Sequence, residues 1–152
     1  MNVFCKRISK IVRQDEGSQI NVEQFTFHNG GETETYSTIG EMVESESLDI
    51  MYPSKLPDNV AVVRVNVNES EQGNMQIQII TNDDRTTVFI EKNVKPSDNL
   101  GEYNKTYVIN GATYYIFEDD IYFATCYHKD NYYYVQANHY DELILIINNM
   151  KE

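Results

Sequence analysis

The sequence KTYVINGATYYIFEDDIYFATCYHKDNYYYVQANHYDELILIINNMKE, from Lys105 to Glu152, decides the fold. Asn110-Gly111 lies between two β-like runs, and this dipeptide is a strong hairpin signal because both residues tolerate the positive φ of a tight turn. Polar turns at 118–120 and 129–131 separate two further runs rich in tyrosine and β-branched residues. The segment therefore predicts consecutive antiparallel strands.

The last residues of this segment change to a helical period. Apolar residues recur at the i, i+3, i+4, i+7 spacing of one helix face: Tyr140, Leu143, Ile144, Ile147 and Met150. Asn138 is the predicted N-cap, and the acidic residues that follow suit the first turn of a helix. The pattern predicts a C-terminal helix that packs deeply on the sheet.

Three more strands are predicted in the middle of the chain. Apolar and polar residues alternate over 63–68 and 75–79, and again within 86–91, which gives each strand one dry and one wet face. Turns at 68–74 and 82–84 separate them. These runs predict a β-meander.

The first third predicts a hairpin, a short helix and an extended connector. Residues 2–13 and 19–28 are β-like runs around a turn, so 1–30 is expected to form an N-terminal hairpin. Thr38 and Glu41 have the spacing of a capping box, with a helix ending near Ser47. Pro53 and Pro57 then exclude helix.

These elements together predict one α+β domain over 1–152. Its fold is expected to be a curved antiparallel sheet of about six to eight strands, with the C-terminal helix on one face. The core is expected to contain Val63, Val65, Ile77, Ile79, Val88, Ile90, Phe123, Val135, Leu143, Ile144 and Ile147.

Composition excludes some classes of partner. The 152 residues include 24 acidic and 12 basic ones, a net charge of −12. Nucleic-acid binding needs clustered cations, so no nucleic-acid partner is expected. No run approaches the roughly 18 apolar residues of a membrane span, so no direct membrane insertion is expected.

No catalytic or metal-binding motif is found in the sequence. Cys5 and Cys126 lack metal spacing, and we interpret them as small strand residues, with a disulfide as the alternative outside the cell. His28, His128 and His139 are not spaced as zinc ligands. We therefore expect no enzyme activity, no metal and no cofactor.

Tyrosine is the prominent candidate for recognition. Most of the chain's 12 tyrosines lie between Tyr103 and Tyr140. They suit either cross-strand packing or an aromatic platform for a glycan or peptide. A platform is expected beside the 92–104 loop, on the solvent face of the sheet. We place Tyr132 and Tyr134 on that face, because the alternate residues Tyr133, Val135 and Ala137 form the more apolar set. The candidate ligand-binding residues are Tyr132, Tyr134, Tyr122 and Tyr103.

Two stretches carry a family resemblance over 36–150. The first stretch is the short helix with the residues that follow it, Tyr52-Pro53-Ser54-Lys55-Leu56-Pro57. The second stretch is the ending, with Asn110-Gly111, Tyr132-Tyr133-Tyr134 and Asp141-Glu142-Leu143. They resemble an uncharacterised extracytoplasmic domain family. Its members follow the membrane anchor of Gram-positive anti-sigma-factor-like proteins and some lipoproteins.

The resemblance implies a location and a class of function. It implies a non-enzymatic, extracytoplasmic sensing or binding module, tethered by an upstream anchor, with an envelope ligand or protein as partner. It transfers no catalytic residue. The alternative is a free-standing cytoplasmic, immunity-type protein whose acidic surface binds a basic partner.

Overall fold

A computed structural model describes residues 32–69, 73–97 and 100–152. The strands are β1 (Glu32–Tyr36), β2 (Tyr52–Pro53), β3 (Val62–Glu69), β4 (Met75–Thr81), β5 (Thr87–Lys92), β6 (Lys105–Ile109), β7 (Ala112–Glu118), β8 (Tyr122–His128), β9 (Asn131–Ala137) and β10 (Met150–Lys151). The helices are α1 (Ile39–Glu46) and α2 (Tyr140–Asn148). The predicted N-terminal hairpin lies outside the described residues.

Eight strands form one antiparallel sheet in the order β1-β3-β4-β5-β9-β8-β7-β6. It consists of two meanders, β3-β4-β5 and β6-β7-β8-β9, which the β5–β9 pair joins, and of β1, which pairs with β3. The antiparallel α+β class is confirmed. Strand β6 lies at one edge of the sheet, so the connection from β5 has to pass the ends of β9, β8 and β7 to reach it.

Two tight turns set the register of the second meander. Asn110 and Gly111 have φ of 52° and 83°, and Lys129 and Asp130 have φ of 51° and 66°. Two consecutive residues with positive φ are typical of the hairpin turn that matches the twist of the strands. The Asn110-Gly111 turn makes Ile109 face Ala112, and this pairing fixes every later pair of β6 with β7.

The core face of the sheet is the face that carries Ile77, Ile90 and Tyr133, which are at most 1% exposed. The buried cluster on this face includes these predicted core residues: Val65, Ile77, Ile79, Val88, Ile90, Val135, Leu143 and Ile147. Ile144, also predicted, is only partly buried against the cluster, and Ile146 of α2 is fully buried instead.

Val63 is a correction to the predicted core, since its side chain is 50% exposed. Along β3, Val62 pairs with Thr81 and Arg64 with Ile80, so Val63 is an extra residue without a partner on β4. A β-bulge of this kind interrupts the alternation of side chains. Val65 and Val67, beyond the bulge, are buried as the alternation predicts.

Buried polar contacts connect β9 to the segment before β2. The hydroxyl of Tyr133 accepts hydrogen bonds from the Met51 backbone N–H at 2.9 Å and from Asn131 Nδ2 at 3.4 Å. The same Nδ2 donates to the Asp49 carbonyl at 3.4 Å. Burial raises the pKa of the Tyr133 hydroxyl. These bonds satisfy a backbone group in the core and hold the connector against the sheet.

Thr38 caps α1 as predicted, and Glu41 reaches back to the residue before the N-cap. Thr38 Oγ1 accepts from the Glu41 N–H at 3.1 Å, and Glu41 Oε1 accepts from the Ser37 N–H at 3.1 Å. The predicted cap of α2 is wrong, because His139 is the N-cap residue. Asn138 instead donates a hydrogen bond from Nδ2 to Asp83 Oδ2 in the β4–β5 turn, which occupies its side chain.

Candidate functional site

Tyr132 and Tyr134 are buried, so the prediction that they lie on a solvent face is wrong. Their exposed fractions are 9% and 0%. Side chains of a strand alternate between faces, so both lie opposite Tyr133, on the opposite face of the sheet. That face is also closed around Phe89, which pairs with Tyr134 across the strands and is 5% exposed. A solvent-borne ligand has no access to these two rings.

Tyr134 lies in a row of stacked aromatic rings. Its ring lies 5.3 Å from that of Phe123, which in turn stacks on Phe117 at 4.6 Å. The Tyr134 hydroxyl donates to Gln136 Oε1 at 2.7 Å. Phe123, predicted for the core, is therefore buried, but in an aromatic row on the opposite face. Cross-strand packing is the role that this geometry supports for Tyr134.

Tyr122 and Tyr103 lie apart from each other. Tyr122 is half-buried beside α2, with its ring 6.2 Å from that of Tyr140. Tyr103 is 43% exposed and meets the Tyr115 ring edge-on at 4.9 Å, on the opposite face. The four predicted ligand-binding tyrosines are therefore not one platform. The exposed Tyr103 and the half-buried Tyr122 lie on different faces of the sheet, near the β6–β7 hairpin.

A charged and aromatic cluster at this hairpin was not predicted from the sequence. Lys105 Nζ lies 3.0 Å from Glu118 Oε2 and 4.2 Å above the Tyr140 ring centroid. The hydrogen bond with Glu118 raises the pKa of Lys105. Counting outward from Asn110-Gly111 pairs Lys105 with Ile116, two residues from Glu118. The position of the turn therefore predicts that Lys105 and Glu118 lie close together, but it does not predict the contact of Lys105 with Tyr140.

The connection from β5 is fastened to the hairpin next to this cluster. The Asn104 N–H donates to the Ile116 carbonyl at 2.7 Å, and Asn104 Oδ1 accepts from the Glu118 N–H at 2.8 Å. Gly101 has φ of 79°, and a Cβ there would lie 3.4 Å from the Phe117 ring. The end of the connection, which carries Tyr103, is thus held close to β7.

We name this region the hairpin-end surface, and it consists of Tyr103, Lys105, Tyr115, Glu118, Tyr122 and Tyr140. From residue 103 to residue 117 the chain has no aspartate or glutamate, although 24 of its 152 residues are acidic. Partly exposed phenol rings beside one cation and one carboxylate can stack on a ligand and bond its polar groups. Such a set of side chains suits binding.

Two observations on the described residues concern catalytic chemistry. Cys126 is a free, fully buried thiol, and burial raises its pKa to about 12, opposite to the shift that activates a nucleophile. Within 32–69, 73–97 and 100–152, no three His, Cys, Asp or Glu side chains are grouped to hold a metal. In the same residues, no helix has the length and apolar character to cross a bilayer.

Comparison of the chain with family models, curated proteins and solved structures gives no match. The family resemblance over 36–150 accordingly stays a prediction.

Proposed function

We propose that the chain is a non-enzymatic, extracytoplasmic sensing or binding module of a membrane-anchored, anti-sigma-factor-like protein. One observation supports this most directly: the first stretch that carries the resemblance pairs with residues that follow the second stretch. Strand β2 pairs with β10, and Ser54 donates to the Asn149 carbonyl from its N–H at 2.8 Å and from Oγ at 2.9 Å. The first stretch and the residues after the second stretch therefore belong to one structural unit.

The curvature of the sheet and the position of α2 on it are part of the same proposal. We infer a strongly curved sheet whose core face is covered by α2. The burial of Leu143, Ile146 and Ile147 in one cluster with residues of β4, β5 and β9 supports it. This arrangement leaves the hairpin-end surface, at the β6 edge, as the place for a ligand.

The location is tested in the native host. Cells are separated into membrane, cytosolic and medium fractions, and the protein is detected with an antibody raised against 36–150. The proposal expects the protein with the membrane, cleaved when protease is added to intact protoplasts. A protein found in the cytosol and protected from external protease would overturn the location.

Ligand binding is tested by titrating soluble cell-wall fragments while amide shifts are followed by NMR. We expect shifts at the hairpin-end surface and their loss in Tyr103→Ala and Tyr140→Ala. Tyr36→Ala, at the far edge strand β1, is the matched control and should bind as the wild type. Shifts that survive in both hairpin-end variants would place binding elsewhere, and no shifts at millimolar fragment would exclude these ligands.

A second candidate, an immunity-type protein, rests on the net charge of −12. Such a surface attracts a basic protein at long range, and salt weakens the attraction. Capture from the native host at low ionic strength should then recover a basic partner that is released by salt. Recovery of no basic protein would exclude this candidate.

A further inference from the structure

Within the described residues, the two edge strands of the sheet, β1 and β6, differ in charge. The sequence of β1 is ETETY, with glutamate at two of its five positions, and charges of this kind keep an edge from pairing with another chain. Strand β6 reads KTYVI, and after Lys105 it has only uncharged residues that favour strands. Val108, next to the central residue of the strand, is 67% exposed. Beyond Lys105, the β6 edge thus has no charged side chain that would keep another strand away.

The hydrogen-bonding direction of β6 follows from its turn. Ile109 and Ala112 flank a two-residue turn and exchange backbone hydrogen bonds, and so do Tyr107 and Tyr114 two residues further along. The residues between them, Thr106 and Val108, therefore direct their N–H and C=O groups away from β7. No described strand lies on that side, since β6 ends the strand order.

We propose that β6 pairs antiparallel with β6 of a second copy of this chain. With a two-fold axis at Tyr107, Thr106 faces Val108 of the second copy, and Val108 faces Thr106. Thr106 and Val108 are the residues whose backbone groups point outward. The two residues of each facing pair can therefore exchange N–H···O=C hydrogen bonds. The edge is self-complementary about its centre, which a two-fold contact requires.

Charge favours a second copy at this place on the surface. In this register Lys105 faces Ile109 of the second copy, so no like charges lie directly opposite each other. The stretch 103–117 carries no acidic residue, whereas each copy has a net charge of −12. The repulsion between two copies is therefore expected to be smallest here. Added salt should strengthen the pair, since it screens the remaining repulsion.

The experiment is sedimentation of the full chain from micromolar to millimolar concentration, at about 0.05 M and about 0.5 M salt. We expect a monomer–dimer equilibrium that salt strengthens. Val108→Lys places a cation at the edge and should weaken dimerisation about tenfold or more, because it brings charge into the pairing strand. The matched control is Val63→Lys, an exposed valine on β3 with the same change in net charge, which should dimerise as the wild type.

Amide hydrogen exchange gives a second readout. In the dimer the Thr106 and Val108 N–H groups should become protected, and protection should rise with protein concentration. A wild type that stays monomeric at millimolar concentration and high salt would overturn the proposal. So would a Val108→Lys variant that dimerises like the control. Failure here leaves the ligand titration unaffected, because that titration depends on Tyr103 and Tyr140 and not on the outward backbone groups of Thr106 and Val108.

Discussion

The Tyr133 hydroxyl accepts a 2.9 Å hydrogen bond from the backbone N–H of Met51, across the core face of the sheet. Both residues are buried, with exposed fractions of 1% and 6%. Tyr133→Phe keeps the ring and removes this acceptor, which leaves a buried N–H without a partner. We expect a loss of about 1–3 kcal/mol in the free energy of unfolding, measured by urea denaturation.

The control for this change is Tyr115→Phe, which removes a hydroxyl from a half-exposed tyrosine of β7. It should alter the free energy of unfolding by less than about 0.5 kcal/mol, as surface changes usually do. Equal effects of the two substitutions would mean that the Met51 bond does not stabilise the fold.

The bulge in β3 predicts opposite outcomes for two neighbouring valines. Val65→Thr places a hydroxyl in the core and should cost about 1–3 kcal/mol of unfolding free energy. Val63→Thr is the same change on an exposed side chain and should stay within about 0.5 kcal/mol of the wild type. Chemical denaturation of the pair measures the difference. If Val63→Thr proved the more harmful, the register of β3 with β4 would be refuted.

The docking of α2 is tested with a charge in its buried stripe. Ile147 is fully buried, so Ile147→Asp puts a carboxylate in the core and should cost several kcal/mol, enough to unfold the domain. Ile144→Asp should cost less, because this side chain is only partly buried. Melting followed by circular dichroism reports both. Asn148→Asp, on the exposed side of the same helix, is the control and should retain a cooperative transition.

Alkaline pH should destabilise the domain through three neighbouring groups in the core. Burial raises the pKa of Cys126 from 9.0 to about 12 and also raises those of Tyr114 and Tyr133. The contribution of these groups to the free energy of unfolding is complete below their pKa values in the unfolded chain, near 9 to 10. It is lost as the pH rises towards their higher pKa values in the folded domain. Each group should remove about 1.4 kcal/mol per pH unit in that window.

The urea midpoint measured from about pH 8 to about pH 11 reports this loss. In a Cys5→Ser background, Cys126→Ala should make the urea midpoint fall less steeply at the lower end of this pH range. In that part of the range the thiol of the unfolded chain ionises before the phenols. Tyr115→Phe, which alters a half-exposed phenol, should leave the decline unchanged. A midpoint that does not fall above pH 9, or a Cys126→Ala profile parallel to the starting one, would contradict the assigned burial.

The local parts of the fold could be predicted because short-range chemistry determines them. Asn110-Gly111 specifies its turn through φ, and Thr38 with Glu41 specifies a helix start. The bulge at Val63 could not be predicted from the sequence. Valines alternate with polar residues along β3 in the same way whether or not one of them lacks a partner on β4. Strand β1 was missed because its alternating glutamates and threonines present no apolar face, and only pairing with β3 makes it a strand.

The candidate site was harder to predict because it depends on how distant strands pair. Tyr132 and Tyr134 have the composition of a wet aromatic face, yet the second face of this sheet is also buried where β5 pairs with β9. Burial of both faces at one place in a sheet is a tertiary property that alternation within one strand does not report. The Lys105–Tyr140 contact likewise joins an edge strand to a helix 35 positions later.

The β5–β9 pair has a consequence for how the chain folds. Within each meander the strands that pair are also neighbours in sequence, so their loops close at low entropic cost. Strand β5 must instead find β9 across the whole intervening second meander. Contacts between distant segments slow folding. We therefore expect each meander to form early and their joining at β5–β9 to be the rate-limiting step, so that substitutions in this seam change the folding rate most.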